Sequence, residues 1–222
     1  MMTDVEAELR DRWAADLGRS RAATEAFDAI CARYREPHRR YHGLVHVLSL
    51  LRTIDELVAA AESSTVGDPT ALRVAAWFHD AVYDPSSHTN EADSATLAER
   101  ELSALGWAPA RRRDVQSMIL ATADHVPAAT DDRAATAILL DADLAVLAAD
   151  PANYQAYTDG VRVEYAHIDD AAWRVGRSAV LRSFLDRPKI FHTVTMHARE
   201  PMARANLTAE LARWLGPASS GD

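Results

Sequence analysis

Apolar residues along this chain return mostly every three or four positions, the spacing that lines one face of an α-helix rather than the alternation of a half-buried strand. Between about Arg21 and Arg35, for example, Ala23, Phe27, Ile30, Cys31 and Tyr34 share one face, and Pro37 stops the run. Asp68-Pro69 and Asp150-Pro151 each set a capping carboxylate ahead of a proline at the first helical position, where the missing N–H costs nothing. Glycines 18 and 106 close two other runs. The pattern predicts helices over roughly Thr3–Leu17, Arg21–Arg35, Leu44–Glu62, Thr70–His79, Asn90–Leu105, Pro109–Asp124, Arg133–Ala149, Pro151–Tyr165, Asp169–Asp186 and Glu200–Leu215, with a polar loop at 63–67. The expected fold is therefore all-α. Ile190 to Thr195 is rich in β-formers, which leaves a short extended segment open there. Neither a repeat nor a long linker interrupts the pattern, so one domain is expected over 1–216, with a flexible tail at 217–222.

Composition narrows the classes of function. With 222 residues, 48% of them hydrophobic, the chain can bury a substantial core. Cys31 is the only cysteine, which excludes an intrachain disulfide and a thiolate zinc cluster and points to a cytoplasmic protein. The acidic start and the lack of an apolar run of about 20 residues predict neither a leader nor a membrane span. A net charge of −9 argues against general binding of nucleic acid or anionic membrane, while leaving a small phosphorylated substrate open. Lys189 is the only lysine, the remaining cations being arginines.

The chemistry concentrates in three places. His42 and His46 are four apart in Tyr41-His42-Gly43-Leu44-Val45-His46, so on a helix extended by one turn their imidazoles share a face. His79-Asp80 ends a segment in which Val74, Ala75, Trp77 and Phe78 leave no polar face, and a buried aspartate beside a buried histidine is costly unless paired or bound to a cation. Asp141 and Asp143 lie about 200° apart around a helix, so only one of them can face a given site. Leu139, Leu140, Val146 and Leu147 make the stripe around Asp143 the more apolar, which selects Asp143. Imidazole and carboxylate ligands suit a divalent cation, with Mn, Mg, Co, Ni, Fe and Zn all open.

His46, then His79-Asp80, then Asp143 resemble the H…HD…D signature of the HD-superfamily metal-dependent phosphohydrolases, whose fold is an all-α bundle. The likeness runs over roughly 30–215 and extends to Phe78 through Asp84, Asn90 through Ala95, Val161 through Tyr165 and Ala203 through Leu207, as in a bacterial branch identified only as predicted hydrolases. The resemblance implies that His46, His79, Asp80 and Asp143 hold the metal. Tyr41-His42 followed by His46 is also similar to the Tyr-His-Asn-x-x-His element of cyclic-nucleotide phosphodiesterases, which makes His42 a general acid. Gly43 stands where that element has Asn, so cyclic-nucleotide specificity does not follow.

The implied activity is hydrolysis of a phosphate ester or anhydride, of a nucleotide or another small phosphorylated metabolite, with Asp80 catalytic as well as a ligand. Among accessory groups, His125 is expected as a second-metal ligand or phosphate donor, or else as a helix-terminal histidine. Glu91 is expected to orient water or to anchor its helix, and Tyr157 to wall the pocket. Arg162 and Lys189 are the candidates for phosphate contacts, set against ordinary ion pairing. Two other classes compete: an HD-type diiron oxygenase, which needs two further histidines where only His88 and His125 lie, and a regulatory module that binds a nucleotide without turnover.

Overall fold

The computed structural model describes residues 2–61, 66–127 and 133–215. Among these the regular structure is entirely helical, with no strand: α1 (Met2–Leu17), α2 (Arg21–Tyr34), α3 (Leu44–Ala60), α4 (Pro69–Phe78), α5 (Asn90–Ala104), α6 (Pro109–Leu120), α7 (Arg133–Asp143), a 3-10 turn (Leu144–Ala148), α8 (Pro151–Glu164), α9 (Asp170–Leu185), α10 (Val194–His197) and α11 (Glu200–Leu215). The all-α expectation holds. The expected end of the third helix at Glu62, most of the 63–67 loop and the 217–222 tail lie outside the described residues.

Helix starts follow the capping chemistry. The Asp68 carboxylate accepts from the Thr70 and Ala71 amides at 3.0 Å, and Asp150 and Asp169 cap α8 and α9 in the same way. At the other end of α5, Gly106 takes φ +78 and lets the Trp107 amide return to the Leu102 carbonyl at 2.9 Å, closing the helix with a left-handed residue.

Two boundaries differ from expectation. The helix predicted to run to Ala149 tightens into a 3-10 turn directly after Asp143, a common way for an α-helix to end. The segment from Ile190 to Thr195 is not a strand: the Glu200 carboxylate accepts the amides of Ile190 and Phe191, which takes the donors that a ladder would need, and the chain enters α10.

Chain contacts divide the molecule into two compact units, Met1–Asp143 and Leu144–Asp222. In the first, α4 packs against α1, α3, α5, α6 and α7. Ala71, Leu72 and every residue from Val74 to Phe78 are buried, the signature of a central helix. Trp77 meets Trp13 edge-to-face at 5.2 Å, and Phe27 closes on both rings. Cys31 is buried and its thiol is pushed up to about 12 by that burial, so it offers no nucleophile at neutral pH.

In the second unit α11 packs on α9 and on the 3-10 turn. Asn206 donates to the carbonyls of Leu147 and Ala149 at 2.9 and 2.8 Å, and Arg204 binds Glu200 and the carbonyls of Leu185 and Arg187. These residues of the late motif are thus occupied in fastening loops.

Candidate metal centre

The central helix sets the site. Because α4 is apolar all round and buried, the residues that end it are carried inward: His79 is 1% exposed, and Asp80 follows it. The His79 Nδ1–H donates to the Ala76 carbonyl at 2.8 Å, which fixes the tautomer and leaves the Nε2 lone pair as the outward ligand atom.

Three more groups converge on that atom. His46, in the first turn of α3, brings its Nε2 to 3.1 Å from His79 Nε2. An Asp80 oxygen lies 3.1 Å from His79 Nε2 and 3.7 Å from His46 Nε2. Asp143, the last residue of α7, places Oδ1 3.3 Å from His46 and 3.6 Å from His79. A cation with bonds of about 2.1 Å keeps neighbouring ligand atoms about 3.0 Å apart in an octahedron and about 3.4 Å apart in a tetrahedron. The observed spacings fall around these values, so the donor set fits a divalent cation in both size and chemistry. His46, His79 and Asp143 alone already offer ligand atoms within 4.8 Å of one another.

The electrostatics agree with that geometry. Burial by itself pushes the His79 imidazolium down, but Asp80 and Asp143 beside it outweigh burial and hold its pKa well above the ordinary histidine value. Burial likewise penalises both carboxylates, yet His79 and then His42 pull Asp80 below the usual range, and hydrogen bonds from His125, His46 and His79 do the same for Asp143. Two carboxylates thus face the two histidine nitrogens at close range.

Of the two candidate aspartates, Asp143 is the one that reaches the histidines. The apolar-stripe argument is not what separates them, because Asp141 is the more deeply buried, at 0% exposed.

His125 lies beyond the end of α6, in a left-handed conformation at φ 52, and its Nε2 is 2.9 Å from Asp143 Oδ2. Backbone strain of this kind persists where the surroundings enforce it. With Oδ2 engaged by His125, Oδ1 of Asp143 is the oxygen turned to the histidine pair. His125→Ala is expected to weaken divalent-metal affinity about 10- to 100-fold without abolishing it, the range typical of a group that orients a ligand. Calorimetric titration of the variant checks this, and unchanged affinity would remove His125 from the site.

His42 precedes α3, in the turn closed by Gly43, with its ring 5.8 Å from that of His46, 4.4 Å from Tyr83 and 4.9 Å from Tyr41. A Cβ at Gly43 would meet the Tyr34 carbonyl at 3.3 Å, a tight approach that favours glycine in this turn. Glu91 stands in the first turn of α5, where a carboxylate meets the positive end of the helix dipole. His88 is exposed in the preceding loop.

Tyr157, Arg162 and Lys189 belong to the second unit. Arg162 donates to the carbonyls of Tyr165 and Ile168 and to Asp170, Tyr157 accepts from Arg177 at 3.4 Å, and Lys189 lies 3.3 Å from a ring nitrogen of His197. The contacts of Arg162 are those of an ordinary ion pair and helix cap.

A cavity of about 470 Å³ opens beside the segment before α3, with Tyr34, Arg39, Arg40, Tyr41 and Leu44 among its walls. None of the four candidate ligand residues lines it. Arg39, at 5% exposed, is the one buried arginine among the described residues of the first unit, and no local pattern in the sequence marks it. No protein-family model, curated protein or solved structure matches this chain.

Proposed function

We propose that the chain is a metal-dependent phosphohydrolase of small phosphorylated substrates, centred on His46, His79, Asp80 and Asp143. The observation that carries this reading is the convergence of two imidazole nitrogens and two carboxylate oxygens at 3.1–3.7 Å from the ends of three helices packed in one core. A bound divalent cation would supply Lewis acidity and a water acidified toward neutral pH. His79, with its tautomer set by Ala76, and His46 present lone pairs, while the two carboxylates balance the charge. His42, at the rim of the cluster, protonates the departing oxygen, a role suited to a group whose ordinary pKa is about 6.5. Asp80, whose oxygen is the closest carboxylate oxygen to His79, would help to hold the cation and orient the attacking water by accepting a hydrogen bond from it. The exposed position of His88 lends no support to the oxygenase reading, which needs it as a ligand.

The test is metal analysis of the purified chain followed by phosphate release from a panel of phosphomonoesters and nucleotides. Bound divalent metal with turnover is expected, and His42→Ala should lower kcat about 10²- to 10⁴-fold while keeping the metal. A chain that takes up no divalent cation overturns the proposal. Tight nucleotide binding without turnover would favour the regulatory module, and iron-dependent oxygen consumption the oxygenase.

A further inference from the structure

Arg39 spends its guanidinium on the backbone around the candidate metal centre. Nη1 donates to the Asp80 carbonyl at 2.7 Å and to the His42 carbonyl at 3.2 Å, Nη2 donates to the Ala81 carbonyl at 3.3 Å, and Nε donates to Glu36 at 3.1 Å. Its side chain is 1% exposed, and it lies over the rings of Tyr34 and Tyr83 at 5.1 and 5.3 Å. Tyr34, itself buried, donates its hydroxyl to the Trp77 carbonyl at 3.1 Å.

The last carbonyls of an α-helix have no intrahelical donors, and a buried end must find them elsewhere. At the end of α4 they are met by His79 Nδ1 at Ala76, the Tyr34 hydroxyl at Trp77 and the Ala81 amide at Phe78, and Arg39 takes the next two carbonyls of the following turn, Asp80 and Ala81. The carbonyls that Arg39 gathers come from two chain segments: the turn that leads into α3 and His46, and the turn that contains His79 and Asp80. A guanidinium presents its donors in one rigid plane, which a lysine ammonium on a flexible stem cannot reproduce. Those two turns lead to His46 and His79, whose Nε2 atoms lie 3.1 Å apart.

We infer that Arg39 is a positioning residue for the metal centre, a clamp that holds the two ligand-bearing turns in register and does not contact substrate. Its functional consequence rests on the metal-centre reading; the clamp itself is a property of the metal-free chain.

Arg39→Lys, which keeps the charge and loses the fork, separates the two. Hydrogen exchange on the metal-free protein is followed at residues 42–46 and 79–82, and Co²⁺ is titrated by its visible absorption. Exchange is expected to rise in both segments together, with Co²⁺ affinity falling about tenfold or more and the band altered. Arg112→Lys, which perturbs the Arg112–Glu99 ion pair between α6 and α5 of the same unit, should lower Tm and leave both readouts alone. Tyr34→Phe, a milder change that removes only the hydroxyl donated to Trp77, should loosen 79–82 alone and serves if Arg39→Lys does not fold. Wild-type exchange in the two segments of Arg39→Lys, or in 79–82 of Tyr34→Phe, overturns the clamp; raised exchange with unaltered Co²⁺ affinity and band overturns the positioning role. A wild-type chain that takes up no cobalt sinks the metal-centre reading and this role with it, while the exchange data still tell that failure from a failed clamp.

Discussion

His79→Ala is expected to abolish metal binding and to lower phosphate release by at least about 10³-fold, the scale on which loss of a metal's Lewis acidity and activated water is felt. Three features place His79 ahead of its neighbours. It is the most buried of the candidate ligands, its Nδ1 is held by the Ala76 carbonyl, and it touches both Asp80 and Asp143. Alanine would leave two half-buried carboxylates facing each other with one fewer nitrogen between them, so the variant should not regain affinity by small shifts. The readout independent of turnover is thermal. A ligand present at 100 times its Kd stabilises the native state by about 2.7 kcal/mol, and that metal-dependent rise in Tm should be present in the wild type and absent in the variant. A His79→Ala protein that still gains stability from divalent metal would move the centre elsewhere.

The second large effect belongs to the other unit and to stability. Glu210, 1% exposed, accepts both arms of the Arg177 guanidinium at 2.7 and 3.0 Å and also the donors of Tyr154 and Trp214. With its partners in place the network is satisfied; with Glu210 removed, Arg177 is a buried cation with no anion. Glu210→Ala is therefore expected to cost about 3–5 kcal/mol, whereas replacing Glu210 and Arg177 together with apolar residues of similar volume should cost far less. Urea melts of the single and double variants test this, and a double-variant loss as large as that of Glu210→Ala would show that the orphaned arginine is not the source of the single variant's cost. The pH dependence has a definite sign. Burial raises the Glu210 carboxyl, but Arg177 outweighs it and the net pKa lies below the ordinary value. The stabilisation is thus complete above the unfolded pKa of about 4.3 and is lost as pH falls through the depressed folded value. Glu210→Gln should flatten that acid limb.

The parts legible in the sequence were those written in local patterns. Helix starts were legible because Asp68, Asp150 and Asp169 cap through their own side chains, within three residues of themselves. His79 could be picked out because apolar neighbours on every side of α4 announce a buried helix end. What failed was non-local. Nothing near Ile190 reveals that Glu200 will take its amide, so a short extended segment stayed open there, and no strand forms. Asp143 was selected by an apolar stripe, although Asp141 is the deeper residue; which of the two faces the histidines depends on where α7 packs against α3. Arg39 sat in an exposed-looking basic run, Arg39-Arg40, and only the return of the chain at residue 80 buries one of the pair. Arg39 and Arg40 read alike until the fold separates them, since a side chain that binds the carbonyls of a distant turn leaves no periodic trace.

The central position of α4 carries a further consequence. One ten-residue helix supplies Trp77 and Phe78 to the aromatic core and, one step later, His79 and Asp80 to the cluster. Interiors this dense transmit a displacement rather than absorb it. Changes of volume at Leu72, Val74 or Trp77 should therefore appear as altered metal selectivity before they appear as unfolding. Mutational latitude thus lies in the solvent-facing helices, while the residues packed behind His79 and Asp80 bear on the geometry of the cluster.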